Sequence, residues 1–175
     1  MKTARPGDAY LIERLTKEHH RSAFSCGKPP LDRYLREQAS QDAKRFIAAT
    51  FVALPRTEVR VAGYYSLSST SVDAGELPPE MVKRLPRYPK LPATLLARLA
   101  VDVGHKGRGL GEFLLMHALS RSLTQTQEVA SLAVVVDAID EEARAFYEKY
   151  EFIPFRDQPL RPYLPMQSIV RKLQP

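Results

Sequence analysis

The sequence has no tryptophan and a single cysteine, Cys26. One thiol forbids an intramolecular disulfide, and it also forbids a zinc site built on a Cys-x-x-Cys pair. The four histidines are His19, His20, His105 and His117. None stands at ligand spacing from an acidic or sulfur partner, so no metal is expected. No apolar run approaches the roughly 20 residues that a membrane-spanning helix needs. The N-terminus carries charges with no apolar stretch behind them, which argues against a secretory signal peptide. These absences predict a reduced, cytoplasmic protein without membrane attachment. Negative charge is also in short supply: 20 Asp and Glu stand against 26 Lys and Arg, a formal net charge of +6 over 175 residues. A basic surplus favours anionic partners such as RNA and nucleotides, although the charge is not packed into one run and mildly basic proteins are common. At this length the chain is expected to form one domain, 1–175, around one core.

What is present reads as an alternation of strands and helices. A strand is expected over 10–15. Pro29-Pro30 opens a helix on which Leu31, Tyr34, Leu35 and Ala39 follow at helical spacing. Strands over 46–54 and 61–72 flank a turn at 55–58 and form a hairpin. Residues 75–93 hold Pro78, Pro79, Pro86, Pro89 and Pro92 among Lys83, Arg84, Arg87 and Lys90. Proline at this density permits a short helix near 80–85 at most, so an exposed basic loop is predicted. A strand over 95–101, apolar on both faces, should be central and buried. A Gly-rich turn follows, then a helix over about 109–126 and a buried strand over 132–136. Asp140 caps a helix running to about 150, with Glu141 and Glu142 at its positive end. Strands at 152–153 and 166–173 close the chain.

The chemistry-bearing segment is VDVGHKGRGLGEFLL. A strand ends at Val101, Gly107, Gly109 and Gly111 follow, and a helix begins. Glycines let the backbone turn sharply and approach a ligand closely. The N–H groups at the helix start then converge on one spot that suits a phosphate. Lys106 and Arg108 add positive charge, and the pyrophosphate of coenzyme A is a natural occupant. The spacing matches neither a dinucleotide fingerprint nor a Walker A loop. A plain strand-to-helix connection is the alternative reading.

The segment from Lys106 to Gly111 resembles the acyl-CoA signature of the GNAT superfamily, Gln/Arg-x-x-Gly-x-Gly/Ala. Lys106 stands at the Gln/Arg position, and Gly109 and Gly111 stand at the glycines. Further on, DEEARAFYEKYEF resembles the superfamily's Asn-x-x-Ala-x-x-Phe-Tyr-x-x-x-Gly-Phe. Ala143, Phe146, Tyr147 and Phe152 match, while Asp140 replaces Asn and Glu151 replaces Gly. FSCGKPPLDRYLREQA, YYSLSS and ARLAVD are similar to segments of the GNAT toxins of bacterial toxin–antitoxin pairs. The resemblance implies an α/β GNAT fold: a mixed, mostly antiparallel central sheet flanked by helices, with splayed central strands. It implies acetyl-CoA as co-substrate, held by the backbone of Leu99, Ala100 and Val101, by the turn Lys106, Gly107, Arg108, Gly109, Leu110 and Gly111, and by Asp140 and Phe146. One N–H of 99–101 would polarise the thioester carbonyl. Tyr147 would be the general acid for the leaving thiolate. The substrate implied is the α-amino group of aminoacyl-tRNA, so that translation is blocked. An antitoxin, often a ribbon-helix-helix protein, is the implied partner, and a homodimer is possible.

The residues themselves leave alternatives open. Tyr147 lies at helical spacing with Ala143, Phe146 and Tyr150, which also suits a core tyrosine. No general base is evident, since Asp102, at a strand end before a turn, reads as structural. An α-amine, with a pKa of about 7.7–8.0 against about 10.4 for lysine, needs a base least. Arg98, Lys83, Arg84, Arg87 and Lys90, with Lys44 and Arg45, are candidates for an RNA-facing surface. Arg98 lies in an otherwise apolar strand and needs a partner or an exposed end. The competing readings are an acetyltransferase of protein or small-molecule amines, and a non-enzymatic CoA-fold module that binds RNA or protein.

Overall fold

The computed structural model describes residues 5–174; residues 1–4 and 175 of the expected domain lie outside the described residues. Short elements with proline at their first positions open the chain: α1 (Pro6–Ala9), then β1 (Tyr10–Arg14), then α2 (Pro29–Arg33). Proline is tolerated there because a first-turn N–H has no helical acceptor to lose. α2 passes through a wide π turn, Tyr34–Gln38, into α3 (Ala39–Lys44). The hairpin β2 (Ala49–Pro55) and β3 (Gly63–Asp73) follows, and then a proline-rich crossing that contains α4 (Pro79–Val82). β4 (Lys90–Val101), α5 (Leu110–Gln125), β5 (Ala133–Val136) and α6 (Glu141–Glu148) come next, with β6 (Ile153–Phe155), β7 (Gln158–Pro165) and α7 (Met166–Leu173) at the end.

The seven strands form one open sheet in the order β1-β2-β3-β4-β5-β7-β6. β1–β2, β2–β3, β5–β7 and β6–β7 pair antiparallel. β4 and β5 pair in parallel, from Thr94↔Val134 to Leu96↔Val136. The register stops there, while β4 continues through Ala97 to Val101. This is the α/β architecture expected from the sequence: an open, mixed, mostly antiparallel sheet with one central parallel pair.

The chain divides into two compact units, one from its N-terminal part to Leu67 with Arg98–Ala118, the other from Ser68–Ala97 with the segment from Leu119 onward. The first is built on Phe24, Tyr34, Leu35, Val52, Tyr64 and Ala100, and the second on Val72, Leu77, Leu91, Val135, Phe155 and Tyr163. Each large apolar side chain so buried stabilises by about 1.5–3 kcal/mol. In the first unit α5 lies directly on β3. A Cβ on Gly63 would stand 2.8 Å from Leu114 Cδ1 and 3.1 Å from the Ala100 carbonyl, so a side chain there would have to displace Leu114 and press on β4.

Several expectations need correction. The strand expected from 46 starts at Ala49, because α3 ends in a left-handed residue, Phe46, with φ 57°. The strand expected from 95 starts at Lys90 and includes Pro92; Leu91 and Ala93 face inward while Lys90 and Pro92 face water. Within it only Leu96 and Ala100 of 95–101 are buried and the rest are half-buried, so it is central but not sealed on both faces. The segment 166–173 is a helix, not a strand. Pro165 caps it, and Met166 and Ile169 bury one face at helical spacing. The last strand is β7, whose Pro159 and Pro162 masked it in the sequence. The basic segment is exposed at Lys83, Arg84, Arg87 and Lys90 as expected, but Leu77 anchors it and Lys90 already belongs to β4.

Candidate active site

In the first unit the Gly-rich turn is held in place by the FSCGK segment. Asp102, 2% exposed, accepts hydrogen bonds from the backbone N–H of Ser25 at 3.0 Å and of Gly104 at 2.9 Å. Val103 N–H donates to the Ser25 carbonyl at 2.8 Å, and Lys106 Nζ donates to the Cys26 carbonyl at 2.8 Å. Asp102 is therefore an architectural residue, as its position suggests, and the ammonium of Lys106 is committed within the protein. Gly107 and Gly109 take φ values of 75° and 76°, the left-handed region that favours glycine. A Cβ on Gly107 would meet no atom within 4 Å, so conformation rather than space requires glycine there. α5 starts at Leu110, which is buried. The N–H groups of its first turn have no acceptor within the helix. Such a cradle of backbone donors at a helix start fits a diphosphate. Arg108 is exposed beside it. His105, in the same turn, accepts at Nδ1 from or donates to the Tyr10 hydroxyl at 2.7 Å. Burial, and then the Arg108 charge, hold its pKa below the usual imidazole value.

Arg98 has found its partner in the ring of Tyr34, 3.5 Å from guanidinium carbon to ring centroid. Tyr34 stacks in turn on Tyr64, and its hydroxyl donates to Asp42 at 2.9 Å. Arg98 therefore ties β4 to the π turn, where the ladder of helical hydrogen bonds is widened. Leu99, Ala100 and Val101 follow it on β4 and lead straight into the Gly-rich turn.

In the second unit, α6 carries the other expected residues. Asp140 caps it by accepting from Ala143 N–H at 2.9 Å. Tyr147 is 4% exposed, with Phe146 at 5.2 Å and Phe152 at 5.4 Å between ring centroids. Burial raises its phenol pKa above the ordinary tyrosine value, so the group stays protonated at neutral pH. Core packing and possession of an acidic proton thus coexist in one residue. α6 ends in a Schellman turn: Glu151 N–H donates to the Glu148 carbonyl at 3.0 Å and Phe152 N–H to the Tyr147 carbonyl at 3.3 Å. Glu151 sits at its left-handed position, φ 71°. That conformation explains why the related motif has glycine there. Lys172 of α7 pairs with the Glu151 carboxylate at 2.8 Å and lowers its pKa.

The loop cations Lys83, Arg84 and Arg87 are exposed in this unit, and Lys90 pairs with Asp73 at 3.0 Å. The sequence reading missed Tyr34 as the partner of Arg98 and Cys26 as the acceptor for Lys106, because both contacts join distant parts of the chain. Among the described residues, no cluster of three or more His, Cys, Asp or Glu is placed to hold a metal ion, and no helix is long and apolar enough to cross a membrane.

The profile of the acetyltransferase (GNAT) family matches residues 12–152. The chain is 36% identical over 147 residues to the tRNA-acetylating toxin of Mycobacterium tuberculosis (strain ATCC 25618 / H37Rv), covering 84% of this chain and 86% of that protein. Among solved structures it resembles AtaT complexed with acetyl-methionyl-tRNAfMet, at 27% identity and a TM-score of 0.87, covering 94% of this chain and 99% of that one. It also resembles AtaTR bound with AcCoA, at 26% identity and a TM-score of 0.83, covering 95% of this chain and 99% of that one.

Proposed function

Because the chain belongs to the acetyltransferase (GNAT) family, we propose that it moves the acetyl group of acetyl-CoA onto the α-amino group of an aminoacyl-tRNA, and thereby acts as a toxin on translation. The observation that carries this reading is the match, along most of both chains, to a tRNA-acetylating toxin. The residues supply the parts. Acetyl-CoA brings the acetyl group as an activated thioester. The α5 N-terminus and the backbone of Gly107, Arg108, Gly109, Leu110 and Gly111 offer N–H groups to its diphosphate, and Leu99, Ala100 and Val101 offer strand backbone to its pantetheine arm. Asp140 and Phe146 shape α6 beside Tyr147. The Tyr147 hydroxyl holds a proton that it directs at sulfur as the carbon–sulfur bond breaks. The attacking amine is neutral in part at cellular pH, and its surplus proton goes to water. Arg98 positions the π turn, while Lys83, Arg84, Arg87 and, less freely, Lys90 face the RNA backbone.

Residues 1–175 act as one catalytic domain in this reading, since the family profile runs through both compact units. The protein works in the cytoplasm, where charged tRNA is found, as a monomer or homodimer, and a ribbon-helix-helix antitoxin silences it. The test incubates charged total tRNA with labelled acetyl-CoA and follows label through mild alkaline deacylation. Label held on tRNA and released by alkali is expected. Labelled lysine peptides or polyamines with unlabelled tRNA would instead establish an acetyltransferase of protein or small-molecule amines.

A further inference from the structure

Two helices of this protein end in the same Schellman turn, and neither has glycine at the left-handed position. At the end of α6 that residue is Glu151, which is polar and paired with Lys172. At the end of α3 it is Phe46. Ile47 N–H donates to the Asp42 carbonyl at 2.9 Å, Phe46 N–H donates to the Ala43 carbonyl at 3.3 Å, and Phe46 takes φ 57°. A bulky residue in this region is an outlier that a glycine or asparagine would relieve. The ring is also 94% exposed. The sequence therefore carries two unfavourable features at one position, backbone strain and an aromatic ring in water. Strain that persists at such a site points to a use for the side chain. Lys44 and Arg45 precede it directly, and both are exposed.

We propose that Phe46, flanked by Lys44 and Arg45, is a stacking platform for an unpaired base of the RNA substrate. The proposal rests on the aminoacyl-tRNA reading above and adds to it a residue that reads the nucleic acid through base stacking. A ring standing clear of the surface presents its faces to a planar base, whereas an apolar peptide needs a groove to fill. The two adjacent cations supply the phosphate contacts that accompany stacking in single-strand recognition.

The test exploits the absence of native tryptophan. Phe46→Trp creates a protein with one tryptophan, whose fluorescence should be quenched when deacylated total tRNA is added and should track binding. Phe46→Gly removes the ring and relieves the turn, so its melting temperature should rise while its tRNA affinity falls at least about fivefold. The salt dependence of binding should be unchanged in Phe46→Gly and should flatten by about one unit of log–log slope in each of Lys44→Ala and Arg45→Ala. Phe46→Gly binding tRNA as tightly as the parent chain would overturn the platform and leave the substrate reading standing. A parent chain that binds no tRNA would overturn both. Unchanged tRNA affinity with weakened antitoxin binding, or with a shifted oligomeric state, would assign the ring to a protein partner or a second copy and overturn the proposal.

Discussion

Tyr147 is packed as a core residue and is proposed as the general acid, and one substitution separates the two roles. Tyr147→Phe keeps the ring between Phe146 and Phe152 and removes only the hydroxyl. The melting temperature and its rise on adding acetyl-CoA should stay as in the parent chain, while kcat should fall by about 10²–10⁴-fold. A loss under threefold would remove Tyr147 from the chemistry. Its pKa is raised, so the protonated form outlasts the ordinary tyrosine value of about 10 as pH rises. The rate should therefore show no loss of this acid between pH 7 and 9. Glu151 permits a test of stability alone. Glu151→Gly relieves a left-handed residue at the cost of the Lys172 pair, which is exposed on the Glu151 side and contributes little. A net gain of about 1 kcal/mol is expected, read as a higher melting temperature. At this scale the sequence was most legible where partners are near in the chain. Asp140 is three residues from the N–H it caps, and Tyr147 lies at helical spacing from Ala143 and Tyr150. It was least legible where partners are remote, as for Lys106 and Cys26, 80 residues apart.

In the proposed function the Gly-rich turn is the element on which acetyl-CoA binding depends. Gly109 has a positive φ, and a Cβ there would stand 3.3 Å from Pro6 Cγ. Gly109→Trp therefore strains the backbone and fills the open end of the turn. Acetyl-CoA should raise the melting temperature of the parent chain by mass action and leave that of a folded Gly109→Trp chain unmoved. An equal shift in both would show that the diphosphate binds elsewhere. This element was readable because glycines, a preceding strand and a following helix sit in one short segment. α7 was not. Its Ile169-Val170 pair has strand propensity, and burial at helical spacing on Met166 and Ile169 overrode it. β7 escaped notice for the opposite reason: Pro159 and Pro162 argue against a strand, and pairing on both sides with β5 and β6 made one nonetheless.

For the whole molecule the decisive quantity is charge. The net +6 and the exposed loop cations predict that affinity for tRNA falls steeply as salt rises, because neutralised phosphates release counterions. Replacing Lys83, Arg84, Arg87 and Lys90 together by alanine should raise KM for aminoacyl-tRNA and spare acetyl-CoA binding. Lys90 is already paired with Asp73, so the log–log salt slope should flatten by about three units rather than four. An unchanged slope would move the RNA surface away from this loop. The composition favoured an anionic partner without requiring one, and that Lys90 and Lys106 are engaged within the protein became visible only with the fold.

Cys26 belongs to the segment that buttresses the Gly-rich turn, and its thiol is 4% exposed. Burial, and then the Asp32 carboxylate, push its pKa up to about 11. At neutral pH only about one molecule in ten thousand would carry the thiolate, the form that alkylating agents and peroxides attack. A thiol so buried should react slowly with thiol reagents while the chain is folded. A cysteine introduced at an exposed position such as Val129 would outpace the buried native thiol and give a selective handle for a thiol-directed dye or crosslinker.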